Sequence, residues 1–193
     1  MPRVLWWGVM SSAGSPALLV TGSTVAAGLQ PRPFDPVADT ISSLAAVGAA
    51  DRWVMTWALV GVGVCYFVTG LALKPAALAG RLILMAVGVA TVLVALNPEQ
   101  AGHGGSLPHT VWAATGFIIM AAWPVAGHVR GPGVPYGLRP AVAVSATAVM
   151  LGLLAWFGVE LISAGHQIGL AERALAGTQA LWPLAVVLTA KTS

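Results

Sequence analysis

Six apolar stretches punctuate the sequence, at residues 4–28, 53–73, 76–96, 109–129, 141–162 and 171–190. Each is close to the roughly 20 residues a helix needs to cross the hydrocarbon core of a bilayer. Pro75 parts the second from the third and predicts a tight hairpin there. The turn-rich run from Arg130 to Arg139 parts the fourth from the fifth. The links are short and no internal repeat stands out, so residues 1–193 read as one membrane domain. The first stretch follows Arg3 as a signal peptide would, but it exceeds a typical signal core and reads as a retained spanning helix. Ser11, Ser12, Ser15 and Pro16 interrupt its middle. They predict a kink packed against neighbouring helices, because freed backbone groups need partners in lipid.

Polar residues are concentrated between the first two stretches. Asp35 is placed to cap a helix whose first residue is Pro36, and Gly48 is placed to stop it. Val37, Ile41, Leu44 and Gly48 fall on one side at helical spacing, and Asp39, Ser42, Ser43 and Ala46 on the other. A short amphipathic helix is therefore expected, lying along the interface or plugging the end of the bundle. The predicted fold class is all-α: a polytopic membrane protein with six transmembrane helices and a short interfacial helix after the first span.

Composition sharpens this picture. Of 193 residues, 58% are hydrophobic and 8% charged, against about 25% charged in soluble domains. So few charges cannot cover the surface of a soluble fold, which argues against a cytosolic enzyme or a disordered chain. The net charge of +3 is scattered and forms no stripe that could track nucleic acid. Cys65 is the one cysteine, so no intrachain disulfide forms. Six spans put both termini on one side, together with Arg3, Lys74, Arg81, Arg130, Arg139 and Lys191; Arg32, Arg52 and Arg173 fall on the other. That bias predicts a multi-pass protein of the cell membrane with cytoplasmic termini. All six acidic residues fall opposite the termini, as do His103, His109 and His166. The clustering nominates that end as the chemical end.

Protonating an alkene needs a carboxyl held in its neutral form by a dry, apolar site. Asp39 and Glu160 are the candidates. Asp39 either faces water, pairing with Arg32 or Arg52, or points into the mouth of the bundle. Glu160 has Trp156 one turn earlier; the alternative for it is a solvated or Arg173-paired carboxylate. Indole faces shelter cations, which makes Trp53, Trp57, Trp112 and Trp156 a candidate substrate-binding wall. The competing reading is an interfacial belt, which suits Trp6, Trp7, Trp53 and Trp123. His109 is expected to hydrogen-bond Asp39 or Glu99 and to tune the acid. His103 and His109, six residues apart, match no metal-ligand spacing, so neither a metal nor any other cofactor is expected. No Gly-x-Ser-x-Gly elbow is present. The mid-span polar residues are small and uncharged, which suits helix packing rather than ion-coupled transport.

Two resemblances follow from these residues. Phe34-Asp35-Pro36 followed by Asp39-Thr40-Ile41-Ser42-Ser43-Leu44, and later Asn97-Pro98-Glu99 ahead of His109, resemble a family of small six-helix membrane proteins catalogued as domain of unknown function 998. That resemblance implies a fold and almost no activity. The size, layout and reliance on carboxyls and aromatics are also similar to small integral-membrane terpene cyclases of bacterial meroterpenoid pathways. No residue-level motif carries the second likeness, so no catalytic position transfers from it. It implies terpenoid biosynthesis in secondary metabolism: an isomerase that cyclises a farnesylated or other isoprenoid substrate by proton initiation. In that reading Asp39 donates the proton, Glu160 acts as second acid or cation stabiliser and His109 as tuning partner. The alternative expectation is a non-catalytic accessory or lipid-binding membrane protein whose polar cluster pins the loops together. The partners expected on either reading are the bilayer and a hydrophobic small molecule.

Overall fold

In the computed structural model, residues 4–100 and 106–191 are described, and His103 lies outside them. Six long helices follow one another: α1 (Trp6–Gly28), α2 (Trp53–Ala72), α3 (Leu78–Leu96), α4 (Leu107–Gly127), α5 (Pro140–Ser163) and α6 (Ile168–Lys191). Each packs on its neighbours in sequence, and α6 closes the ring by returning to α1. α2, α3, α4 and α5 are long and apolar enough to cross a membrane. The result is an all-α bundle of a membrane protein with two ends. One end, called the strap end after the α1–α2 connection that crosses it, carries the α1–α2, α3–α4 and α5–α6 connections. The terminus end carries the α2–α3 and α4–α5 connections, the start of α1 and the close of α6.

The helices approach closely where side chains are smallest. A Cβ on Gly80 would lie 2.2 Å from the Cα of Gly127, so α3 and α4 touch backbone to backbone. The polar interruption in α1 is satisfied sideways. Ser11 Oγ lies 2.8 Å from Thr69 Oγ1 on α2, and Ser15 Oγ donates to Ala180 O on α6 at 3.3 Å. Both serines are buried, so the groups that would be costly in lipid have partners across the interface. Trp123, expected in an interfacial belt, is instead 1% exposed and belongs to the core with Leu84, Met120 and Val187.

The connection between α1 and α2 differs from its sequence pattern. In place of a helix over residues 36–47 there is a turn at Pro36–Asp39 and a single 3-10 turn at Ser42–Ala45. The cause lies in where the backbone groups go. Asp35 Oδ1 accepts from the Val37 N–H at 2.8 Å, and Asp39 Oδ2 accepts from the Asp35 N–H at 2.9 Å. Carbonyls a helix would have used are taken by α6: Val37 O accepts from the Leu170 N–H, and Pro36 O and Asp39 O accept from Arg173 Nη1. One i→i+4 bond forms, from the Asp39 N–H to Asp35 O at 2.7 Å; beyond it, local carboxylates and a distant helix take the backbone groups, leaving a strap fastened across the bundle. The apolar side of the pattern still points inward at its centre, with Ile41 and Leu44 buried.

Candidate functional site

The strap is held down by one carboxyl. Glu172 sits on the second turn of α6 and is 3% exposed. Its Oε2 accepts from the Ile41 N–H, and its Oε1 accepts from Ser42 Oγ at 2.8 Å. Next to it, Arg173 Nη1 donates to Pro36 O, Asp39 O and Gly169 O, and its guanidinium lies 5.1 Å from the Phe34 ring centroid. Asp39 thus contributes its carbonyl to Arg173 and its carboxylate to its own turn. Glu160, at the end of α5, accepts the Gln167 N–H at 2.9 Å just ahead of α6. A carboxylate at that place complements the positive end of the α6 dipole.

A second polar joint meets the strap from the other side. His109, in the first turn of α4 and 5% exposed, presents Nε2 to Glu99 Oε1 at 3.2 Å and donates Nδ1–H to Asn97 O at 3.1 Å. Ser106 caps the helix below it. Of the two partners expected for His109, Glu99 is the one it contacts. The Glu99 carbonyl accepts from the Val47 N–H at 2.8 Å, tying the strap to the α3–α4 connection. Glu172 and His109 are both buried at this end of the bundle, and Glu99 is half-buried beside His109.

Beneath Glu172 lies a partly open cavity of about 90 Å³ lined by α1, α2, α3, α4, α6 and the strap. Its walls are apolar, from Leu19, Leu59, Val62, Val87, Trp112 and Phe117 among others. Polar groups line it at a few points: Ser42 and Glu172 near the strap, with Tyr66, Thr91 and Gln179 deeper. Gln179 is anchored by donating to Phe117 O at 3.0 Å. Among the sequence-nominated residues, Trp112 lines this cavity, whereas Asp39, Glu160, His109, Trp53, Trp57 and Trp156 do not. Trp53 and Trp57 are 57% and 67% exposed and look outward; Trp53 carries the Arg52 guanidinium 4.1 Å from its ring centroid. Trp156 is half-buried on α5. Among the described residues, no three His, Cys, Asp or Glu side chains come together as a metal site.

A family model described as protein of unknown function (DUF998) matches residues 12–189. The chain belongs to this family. The match takes in the strap, the Asn97–Glu99 segment, His109 and Glu172, so every element of the site lies inside the DUF998 domain. No curated protein and no solved structure matches the chain.

The central residue of the site, Glu172, is the one the sequence pattern passed over. It opens an apolar stretch next to Arg173, where a charge ordinarily marks the membrane surface. A signal was nonetheless present: a glutamate one turn inside a span, followed by Gln179 seven residues on and on the same face.

Proposed function

We propose that this DUF998 protein is a membrane-embedded, non-catalytic binding protein that holds one end of an amphiphile in the cavity under Glu172. One observation carries this reading: an apolar hollow between helices with a buried carboxyl at its strap end. Its size sets the ligand. Drug-sized ligand pockets span about 300–1,000 Å³, and an engineered cavity of about 150 Å³ takes up a single benzene. The observed 90 Å³ therefore suits the end of a chain or a small group, not a whole farnesyl unit. Glu172 and Ser42 favour a head that donates a hydrogen bond, such as an alcohol or an amine. The same carboxyl already receives two donated bonds from the strap, which suits an anchor better than a proton donor. α1 and α6 complete six spans in this reading. The surplus of Lys and Arg at the terminus end puts both termini in the cytoplasm. A C-terminal green-fluorescent fusion would then be fluorescent; a dark fusion at normal expression would reverse the orientation.

The test is intact-mass measurement of protein released gently from membranes. The parent is expected to carry a discrete small-molecule adduct. Ala113→Leu, which adds bulk at the cavity wall, should lose at least about 90% of it while remaining folded. Equal adducts on both proteins, or none on the parent, would remove the reading.

A second reading is the proton-initiated terpene cyclase. It is favoured by Trp112, Phe117 and Tyr66 standing around a buried carboxyl, since aromatic faces shelter cations. It requires the cavity to widen several-fold. Membranes supplied with a farnesylated aromatic acceptor would then yield an isomer of equal mass. Asp39→Asn, Glu160→Gln and Glu172→Gln, run side by side, identify the acid. The binding reading expects no isomer from any of them.

A further inference from the structure

The terminus end of the bundle contrasts with the strap end in charge. All six Asp and Glu residues of the chain lie at the strap end, whereas Lys74, Arg81, Arg130 and Arg139 lie at the terminus end with no acidic residue near them in the fold. The α4–α5 connection shapes part of this charge into a receptacle. The Val129 N–H donates to Leu138 O at 2.9 Å and closes the connection on itself. Gly131, with φ 132°, and Gly133, with φ 68°, supply the left-handed turns that let it curve. An open bowl of about 490 Å³ results, lined by Arg130, Gly131, Gly133, Val134, Arg139 and Pro140.

Arg139 is braced from behind. Its Nε donates to Val134 O at 3.3 Å, and its guanidinium lies 5.7 Å from the Tyr136 ring centroid. Its Nη1 and Nη2, and the whole exposed side chain of Arg130, have no hydrogen-bond or ion-pair partner among the described residues. Two planar guanidinium forks in one concavity, with no carboxylate among the described residues to neutralise them, suit the paired oxygens of a phosphate. α5 begins at the floor of the bowl with no side-chain cap, which adds the positive end of a helix to the same place. Beyond the bowl, α5 turns apolar side chains outward, Val144 and Leu151 being 59% and 48% exposed. Tyr136 is 60% exposed at the rim, where an aromatic ring fits headgroup depth.

We propose that this bowl seats the phosphate of an anionic membrane phospholipid, with the acyl chains running along the outer face of α5. The continuity of a basic receptacle with an apolar helix face is what favours a lipid over a soluble phosphate. The site is at the opposite end from the Glu172 cavity and shares no residue with it, so the two proposals stand or fall separately.

Native mass spectrometry of the full chain in neutral detergent tests it. Phosphatidylglycerol and phosphatidylcholine of matched acyl chains are titrated separately, and inorganic phosphate forms a third arm. The parent should retain phosphatidylglycerol in clear preference to phosphatidylcholine. Each of Arg130→Gln and Arg139→Gln should weaken that preference about fivefold, the factor expected for one cation at a lipid headgroup. Arg130→Gln disturbs no bond within the protein, so it keeps the test readable should Arg139→Gln loosen the loop. A parent without preference, or variants that keep it in full, would overturn the proposal. Inorganic phosphate retained with the same dependence on both arginines would overturn the lipid assignment and make the bowl a soluble-anion site.

Discussion

Glu172→Ala should release the strap. The substitution takes away the acceptor of the Ile41 N–H and of Ser42 Oγ, both bonded to a carboxyl that is itself 3% exposed. A buried donor left unpaired costs about 1–3 kcal/mol, so the buried Ile41 N–H together with the half-buried Ser42 hydroxyl costs about 3 kcal/mol. For a chain of this length that is a fall of about 10 °C in the unfolding midpoint. The loss should be local before it is global. Amide exchange should accelerate at Ile41 and Leu170, the strap and α6 partners, while the deep amides of α2 and α3 keep their protection. Glu172→Gln retains one oxygen acceptor and should lose roughly half as much. If the alanine variant matched the parent in midpoint and in strap exchange, the carboxyl would not be the fastening.

The other large effect concerns the contact between α3 and α4. Gly80→Ala places a Cβ 2.2 Å from Gly127 Cα and 2.6 Å from Gly127 N, and backbone atoms cannot step aside as a flexible side chain can. The helices must separate at their terminus ends, breaking the 3.1 Å bond from the Ala77 N–H to Gly127 O as they do. Overpacking of this kind costs about 3 kcal/mol. Gly152→Ala, made on the same kind of helix, is the matched control. A Cβ there meets nothing within 4 Å, so the gain in helix propensity should leave the protein equal or slightly more stable. Thermal unfolding of both variants in the same detergent checks the pair. Equal midpoints would mean that α3 and α4 are not held at backbone contact.

These two positions also show what one dimension records and what it loses. The apolar stretches mark helices to within a few residues, because a bilayer demands length and low charge, and both are local quantities. The stretch over 53–73 becomes α2 at Trp53–Ala72, and that over 76–96 becomes α3 at Leu78–Leu96. His109 beside Glu99 was similarly within reach, since only a short connection separates them. The strap was not. Its pattern satisfies every local rule for an amphipathic helix, yet Arg173 and Leu170 draw its backbone groups away from helical bonding. That competition joins residues more than 130 positions apart and leaves no trace in periodicity. For the same reason Asp39 and Glu160 stood out as isolated acids, although Asp39 closes a turn and Glu160 meets the start of α6. Glu172 gained its place only when the strap folded over it. Of the tryptophans, Trp112 reached the cavity because it is one turn beyond His109, on the side of α4 that faces the ring's interior.

The most direct measurement is photo-crosslinking with a long-chain alcohol that carries a diazirine next to its hydroxyl, followed by peptide mapping of the labelled protein in membranes. A hydroxyl end held under Glu172 should mark Leu59, Val62 and Phe117, and Ala113→Leu should abolish that labelling. Labelling confined to the outward-facing Val144, Leu151 and Val159, unchanged in the variant, would mean the hollow is only a packing gap and contradict the account.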